Sequence, residues 1–183
     1  MMKTIYRTYK FRLKPNSEQK ILLAKHFGCA RFVFNHFLAE RQEEYKNEGK
    51  SSNYYTQQAR LAELKKGKCE WLKEVNSQTL QVALKNMDTA YQNFFRKKSG
   101  FPNFKSKKSK NSFSVPQNCS VDEYKIYIPK FREGIVYFKD RKVKGVVKSM
   151  TLSLIPSGKY FVSILTEQQY EPIAKTGKVV GID

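Results

Sequence analysis

The distribution of apolar and polar residues along the chain predicts one strand, then helices, then further strands. Residues 3 to 13 alternate between apolar and polar side chains, the period of a half-buried strand, and only Arg7 interrupts the apolar side. Pro15 ends this strand, and Asn16 with Gln19 three positions later has the spacing of a helix capping box. The apolar side of the predicted strand consists of Ile5, Tyr9, Phe11 and Leu13.

Four helices are predicted between residues 16 and 96. The first ends near Gly28, the second continues to about Lys46, the third covers roughly residues 56–66, and the clearest covers roughly residues 77–96. The apolar residues expected to face the core are Ile21, Leu22, Ala24 and Phe27 in the first helix, Phe34, Phe37, Leu38 and Tyr45 in the second, and Leu80, Leu84, Met87, Tyr91 and Phe94 in the last.

A strongly basic segment follows the last predicted helix. From Arg96 to Lys110 it has seven basic residues and no acidic one, and Gly100 and Pro102 interrupt it, so we expect an exposed loop that does not pack. Its two phenylalanines, at 101 and 104, either stack on bases of a single strand or anchor the loop to the strand-rich part. The Gly-Phe-Pro-x-Phe pattern favours anchoring.

From residue 112 onward the apolar pattern changes to a period of two. Strands are predicted near residues 113–115, 124–128, 135–138, 150–155 and 160–166. One strand, four helices and about five strands predict an α+β fold, in which a helical segment interrupts an antiparallel barrel or sheet. The strand-rich part is expected to comprise residues 1–13 and 112–172, and the helical insertion with the basic loop residues 14–111.

The net charge of the chain indicates what the protein binds. The 183 residues include 35 Lys and Arg against 16 acidic residues, a formal net charge of +19. Because such self-repulsion is relieved by a polyanion, RNA or DNA is the expected partner. The aromatic content of 14% excludes a disordered basic tail. A ribosomal type of basic surface and an anionic membrane surface are the alternatives.

The termini, cysteines and histidines do not indicate a membrane, disulfide, metal or catalytic function. The N-terminus has no apolar signal core and no later run is long enough for a membrane span, so we expect no membrane partner and a cytoplasmic location, at the nucleoid. Cys29, Cys69 and Cys119 are odd in number and far apart, which favours reduced thiols. His26 and His36 match no catalytic or metal-binding motif and are expected to be structural.

Four stretches of the chain resemble TnpB (OrfB) proteins of bacterial insertion sequences. They are residues 30–38 (ARFVFNHFL), residues 84–95 and 100–105 (LKNMDTAYQNFF and GFPNFK), residues 112–118 (SFSVPQN) and residues 180–183 (VGID). The likeness covers the whole chain in the right order, so it is more specific than any single motif.

Proteins of this family are RNA-guided DNA endonucleases. The resemblance therefore implies a wedge-type β-barrel that is split in sequence by a helical recognition insertion and followed by a RuvC-like domain, which begins at residues 178–183. Asp183 matches the first catalytic carboxylate, whereas a two-metal site needs several. We therefore expect this chain alone to be inactive and to have no complete metal site. No cofactor is expected in this chain; Mg²⁺ and a structural zinc are expected only in the full-length family.

The resemblance also implies partners and a reading surface. The expected partners are a guide RNA derived from the transposon end and double-stranded target DNA with a short adjacent motif. Glutamine can pair with adenine in the major groove and lysine with guanine or phosphate, so replacing Gln81 or Asn118 by Ala is expected to relax sequence preference. The residues expected to contact the motif are Tyr54, Ser77, Gln78, Gln81, Lys85, Gln117 and Asn118. From residue types alone, an ordinary polar helix face would explain the same pattern.

Two groups of cations are assigned to the nucleic-acid backbone, where contacts give affinity and salt dependence but little sequence information. The first group, in the basic loop, is Arg96, Lys97, Lys98, Lys105, Lys107, Lys108 and Lys110. The second, in the strand-rich part, is Lys10, Arg12, Arg141, Lys142 and Lys144.

Three functions remain open from the sequence. The leading hypothesis is the recognition half of a TnpB-like protein, which binds guide RNA and target-adjacent DNA without completing a nuclease. The second is a half-enzyme whose remaining carboxylates come from another chain. The third is a nuclease-dead, RNA-guided regulator that occupies DNA without cutting it.

Overall fold

The fold is α+β, with three α-helices inserted between the first and second strands of an antiparallel sheet. A computed structural model describes residues 2–108 and 111–171. The helices are α1 (Ser17–Glu48), α2 (Tyr54–Lys66) and α3 (Ser77–Phe95), with a short 3₁₀ helix, Glu70–Glu74, before α3. The strands are β1 (Lys3–Lys14), β2 (Asn111–Val115), β3 (Ser120–Val121), β4 (Lys125–Ile128), β5 (Phe131–Tyr137), β6 (Val146–Leu154) and β7 (Tyr160–Tyr170).

The sheet is built around β1. Its seven strands have the order β2-β6-β7-β1-β5-β4-β3, and every neighbouring pair is antiparallel. β1 pairs with β7 along its length, from Lys3 opposite Tyr170 to Leu13 opposite Tyr160. Its last residues also pair with β5, where Leu13 lies opposite Tyr137. The first strand therefore joins the two halves of a sheet whose other six strands all follow the helices.

The sheet is rolled, but the described strands do not close it. His26 of α1 contacts the ring of Phe113 on β2 at 4.9 Å and that of Phe131 on β5 at 5.4 Å, so these rings lie within about 10 Å of each other. In a flat sheet the same two strands, four steps apart, would be separated by about 19 Å. The outer strands, β2 and β3, do not pair with each other among the described residues. The predicted closed barrel is not confirmed, and the predicted RuvC-like strand at residues 178–183 lies outside the described residues.

The first two predicted helices are one continuous helix, α1. The capping box is confirmed: the backbone N–H of Gln19 donates to Asn16 Oδ1 at 2.8 Å, and that of Asn16 donates to Gln19 Oε1 at 3.1 Å. The predicted end near Gly28 is wrong because the buried stripe continues through it at spacings of three and four residues, and this burial outweighs the roughly 1 kcal/mol cost of one glycine. The buried residues of α1 are Leu23, His26, Phe27, Cys29, Ala30, Val33, Phe34, Phe37, Leu38 and Arg41.

Three residues expected in the core of α1 are on its surface instead. Ile21 is 62% exposed and Tyr45 is 66% exposed, and Ala24 is exposed as well. The buried stripe runs instead through Leu23, His26, Phe27 and Ala30, so Ile21 and Ala24 lie outside it. The helix ends at Gly49, whose φ of 67° is the left-handed conformation favoured by glycine after a helix.

The other predicted elements agree with the structure in type. Asn53 and Asn76 cap α2 and α3 by accepting hydrogen bonds from the backbone N–H groups of Thr56 and Gln78, each worth about 1 kcal/mol. The buried stripe of α3 contains Leu80, Leu84, Met87 and Tyr91, as predicted, whereas the fifth predicted core residue, Phe94, is only half-buried. The two-residue strand β3 was not predicted, and β5 and β6 begin four residues earlier than expected.

A buried polar cluster connects the three helices. Arg41 of α1 is 6% exposed; its Nη2 lies 2.6 Å from Asp88 Oδ1 of α3, and its Nε donates to Gln57 Oε1 of α2 at 2.9 Å. Gln57, fully buried, donates in turn to the carbonyl of Phe37 at 3.0 Å. A buried cation needs such partners because desolvation is costly.

Replacing Asp88 by Ala removes the carboxylate that neutralises buried Arg41. We expect the free energy of unfolding to fall by about 3 kcal/mol, the lower end of the range for broken buried pairs because Asp88 is 16% exposed. Urea denaturation followed by circular dichroism measures this loss. The control is Glu63→Ala, which removes a pair with Lys66 whose side chains are both 72% exposed, and costs less than about 0.5 kcal/mol. Equal losses in the two variants would contradict the assignment.

A buried histidine joins α1 to the start of α3 and to both flanks of the sheet. The backbone N–H of Asn76 donates to His26 Nε2 at 3.2 Å, so the ring proton is on Nδ1, which donates to the carbonyl of Leu22 at 2.8 Å. Burial lowers the pKa of His26 and the charge of Lys130 lowers it further, although the bond to Leu22 acts in the opposite direction. The histidine is therefore structural, as predicted, and it is neutral in the folded protein.

Because the folded pKa of His26 is below its ordinary value of 6.5, the unfolded chain binds the proton more tightly. The contribution of His26 to stability is complete above pH 6.5 and is lost as the pH falls through 6.5 towards the folded pKa. Urea midpoints measured from pH 7.5 down to pH 5.5 should decrease. In His26→Gln, whose amide can still accept from Asn76, this part of the decrease should disappear, whereas His36→Gln should retain it. A pH dependence unchanged in His26→Gln would refute the assignment.

Candidate nucleic-acid interface

The exposed face of α3 carries the predicted reading residues. Asn76 caps the helix, so Ser77 is its first residue, and Ser77, Gln81 and Lys85 follow one another at spacings of four along one exposed face. The opposite face is fixed in the core by Leu80 and its apolar neighbours. The polar face is therefore held rigidly and is accessible along about two turns.

The turn after β2 lies beside the start of this face. Asn118 has a φ of 56°, a left-handed conformation that asparagine tolerates better than most residues, and it is exposed together with Gln117. The side-chain amide of Gln78 donates to Gln117 Oε1 at 3.5 Å, which brings the turn next to α3. Gln78 Oε1 is buried without a hydrogen-bond partner in the described part of the chain. The structure thus brings together residues separated by about 40 positions in the sequence.

Tyr54 lies away from this cluster. Lys65 near the end of α2 donates from Nζ to Ser77 Oγ at 2.8 Å, which places the C-terminal end of α2 at the reading face. Tyr54 begins α2, eleven residues earlier and therefore about 16 Å along the helix. It packs half-buried against the core and contacts the ring of Tyr55 at 5.5 Å. Lys65 was not predicted; the basic last turn of α2, just ahead of the α3 cap, is the sequence signal for it.

The basic loop is more ordered than predicted. Asn35 of α1 accepts from the backbone N–H of Lys105 at 2.8 Å and donates to its carbonyl at 3.0 Å. Pro102 is buried, and Phe101 packs edge-on against Tyr91 at 5.6 Å and Phe94 at 5.2 Å. The loop is exposed as expected, with only Pro102 buried among its described residues. The expectation that it does not pack is wrong, because its few apolar residues suffice to fix it. Phe101 anchors the loop to α3 and not to the sheet.

The predicted backbone cations of the loop differ in their surroundings. Arg96, Lys97, Lys98, Lys107 and Lys108 are exposed, and Lys110 lies outside the described residues. The ammonium of Lys105 lies 4.0 Å from the centroid of the Phe34 ring, and loss of water there lowers its pKa. The exposed five can contact phosphate without rearrangement, whereas Lys105 also holds the loop on α1.

The second predicted cationic group is divided between the two faces of the sheet. Lys10 lies 4.9 Å from the ring centroid of Phe161, and Arg12 lies 5.5 Å from that of Phe138, both on the outer face of β1. The guanidinium of Arg141 is 5.4 Å from the ring centroid of Phe11, which faces the other way. Lys142 and Lys144 are in the exposed segment between β5 and β6. These five residues do not form one continuous patch.

The described residues do not provide a metal site. Across residues 2–108 and 111–171, no group of three or more His, Cys, Asp and Glu side chains is arranged to hold a metal ion. Asp183 lies outside the described residues. The three cysteines are free thiols, and burial raises the pKa of Cys29 to about 11, as expected for a structural residue. No described helix is long and apolar enough to cross a membrane.

Comparison with known proteins identifies relatives over nearly the whole chain. The chain is 36% identical over 179 residues to the putative RNA-guided DNA endonuclease InsQ of Escherichia coli strain K12, covering 96% of this chain and 44% of that protein. It is 33% identical over 189 residues to a putative RNA-guided DNA endonuclease of Streptomyces pristinaespiralis, covering all of this chain and 47% of the relative. The chain thus spans about half the length of both.

Two further matches concern shorter segments. The virulence protein VsdF of Salmonella dublin is 35% identical over 114 residues, 57% of this chain and 96% of that protein. The family model HTH_OrfB_IS605, described as a helix-turn-helix domain, matches residues 1–50. In this structure those residues form β1 and the continuous helix α1. Together with the matches along the whole chain, this places the protein in the TnpB (OrfB) family.

Proposed function

We propose that this chain is the guide-RNA-binding and target-DNA-binding part of a TnpB-like RNA-guided DNA endonuclease, and that it does not cleave DNA by itself. The guide comes from the transposon end, and the DNA is a duplex with a short motif beside the target. The rolled sheet corresponds in this proposal to the family's wedge-type barrel, and the helices to its recognition insertion. Cleavage, with its Mg²⁺ ions, requires carboxylates beyond those described, and the protein acts in the cytoplasm at the nucleoid.

The observation that carries the proposal is the junction between α3 and the turn after β2. Ser77, Gln81 and Lys85 form an exposed face with the hydrogen-bonding groups that read base edges in a major groove. An α-helix fits that groove, and Asn118 on the adjacent turn extends the surface. The relatives named as RNA-guided DNA endonucleases align over this whole region, which favours a reading surface over an ordinary polar helix face.

Net charge supplies the second support. A charge of +19 favours any RNA or DNA chain, and the exposed cations of the basic loop follow directly from the C-terminal end of α3. The face that would read sequence and the cations that would hold phosphate therefore belong to one rigid helix and the loop packed on it. This arrangement fixes the register of a bound nucleic acid relative to the reading residues.

Base reading is tested by selecting from a pool of DNA duplexes with a randomised segment, using the chain bound to guide RNA. Gln81→Ala should flatten the preference at the position it contacts, by about 1–3 kcal/mol of discrimination. Asn118→Gly should do the same, and it is preferable to Ala because glycine accepts the φ of 56° without strain.

The matched control for base reading is Gln92→Ala, an exposed glutamine on the same helix that donates to Asp88 Oδ2 at 2.7 Å. It lies eleven residues from Gln81, about 16 Å along the axis, and should leave the selected motif unchanged. If Gln81→Ala selects the same motif with the same strength as the control, α3 is not the reader.

Backbone binding is tested through salt dependence. The double variant Lys107→Ala, Lys108→Ala should weaken binding to all sequences alike and reduce the slope of log affinity against log salt by about 2, since each phosphate contact contributes about 0.9. Titrations between about 50 and 200 mM salt give the slope. An unchanged slope, or a changed motif preference, would remove these lysines from the backbone contacts.

A further inference from the structure

An aromatic cavity lies at the C-terminal end of α3, away from the reading face. It has a volume of about 330 Å³, at the lower end of the range for small-ligand sites. Its wall comes from the end of α1, the end of α3 and the basic loop. The side chains that form most of it are Arg41, Tyr45, Tyr91, Phe94, Phe95 and Phe101.

The rings of this cavity are held in place by one another. Phe101 meets Tyr91 at an interplanar angle of 87° and Phe94 at 83°. Phe95 lies nearly parallel to Tyr91, with a centroid distance of 6.2 Å and an angle of 23°. Arg41 also contacts Tyr91, its guanidinium 5.2 Å from the ring centroid. The cavity is therefore preformed, so a planar ligand would enter it without a large ordering cost.

Much of the aromatic surface here is not needed by the core. Phe95 is 73% exposed, Tyr45 is 66% exposed and Phe101 is 45% exposed, whereas Tyr91 behind them is 7% exposed. Adjoining exposed rings of this kind mark a binding surface more often than a single exposed side chain does. A flat ring face suits another π system better than it suits an aliphatic side chain.

Cations lie immediately beside the exposed rings. Arg96, Lys97 and Lys98 directly follow Phe95 and are exposed, and no acidic side chain among the described residues pairs with them. Their backbone is fixed by hydrogen bonds from the N–H of Lys97 to the carbonyl of Phe94 and from that of Lys98 to Asn93. The nearby carboxylate of Asp88 is already neutralised by Arg41. Aromatic faces next to free cations are what a single-stranded nucleic acid requires.

We propose that this cavity binds an unpaired nucleobase of a single-stranded segment, stacked on Phe95, with the flanking phosphates at Arg96, Lys97 and Lys98. The inference rests on the proposed function but concerns a second site. Phe95 is eighteen residues from Ser77, about 27 Å along α3, so the duplex motif and the unpaired base occupy opposite ends of one helix. The basic cluster favours this occupant over an apolar protein segment, which would leave the cations unpaired.

Fluorescence anisotropy with the full chain separates stacking from charge. The probes are labelled oligothymidylate and oligouridylate of about 12 nucleotides, roughly the length of one single-strand binding site. The third probe is an abasic strand with the same number of phosphates. Phe95→Ala should weaken binding of the base-bearing strands about five- to a hundredfold, the range for loss of one base–aromatic stack, and leave abasic binding unchanged. Phe95→Trp should retain the affinity. If Phe95→Ala loses more affinity for oligouridylate than for oligothymidylate, the bound strand is RNA; the reverse identifies DNA.

The control is Tyr124→Ala, which removes another exposed ring, 68% exposed, between β3 and β4 and outside the cavity; it should change neither affinity. Because Phe95 lies mainly on the surface, its replacement should leave the circular dichroism spectrum unchanged. Equal binding of wild type and Phe95→Ala to all strands overturns the inference, as does an equal loss on the abasic strand. In both cases the wild type still binds, so the proposed function stands. If the wild type binds no strand at low salt, the proposed function fails as well.

Discussion

The pairing of β1 with β7 is the constraint on which the other parts of the molecule depend. Eleven residue pairs join a strand at one end of the chain to a strand about 150 residues later. Closing so long a loop costs entropy, although each doubling of loop length adds only about 0.6 kcal/mol. The pairing is stabilised because Phe11 of β1 and Val162 and Ile164 of β7 are buried on one side of the sheet. Because α1, α2 and α3 lie in sequence between these two paired strands, the helices form an insertion in the sheet.

The helix α1 contacts both the sheet and the other two helices, and it thereby fixes the helices relative to the strands. At its start, Gln19 donates to the carbonyl of Gly134 on β5 at 2.7 Å, and two turns later His26 lies between the two flanks of the rolled sheet. Further along, Arg31 donates to Asn111 on β2 at 2.6 Å, and Arg41 binds α2 and α3 through buried polar groups. A break at Gly28 would uncouple these contacts. One continuous helix is therefore what sets α3 at a defined angle and distance from the strands.

The sequence predicts the local elements well because local signals determine them. The alternation in β1, the capping box at Asn16 and the stripe of α3 each lie within a few residues, and each agrees with the structure. Gly28 misled the prediction because a propensity of about 1 kcal/mol was weighed without the packing on both sides of it. Tertiary packing determines three other features. These are the hydrogen bond between Gln78 and Gln117, the position of Lys65 beside Ser77, and the division of the second cationic group between the two faces of the sheet. The spacing of residues along the sequence does not predict that packing. The reading residues were therefore chosen from the family resemblance, because the residue pattern alone could not distinguish them from an ordinary polar helix face.

Under the two proposals above, one end of α3 contacts a duplex and the other end contacts an unpaired base. Its N-terminal end combines polar side chains with a turn whose backbone is fixed, which suits the edges of paired bases. Its C-terminal end combines aromatic rings with adjoining cations, which suits a base that has left its stack. A rigid helix keeps these ends at a constant separation of about 27 Å, close to the length of eight base pairs at 3.4 Å each. On these two proposals, a duplex at one end and an unpaired base at the other need no hinge between them, since one rigid helix sets their separation.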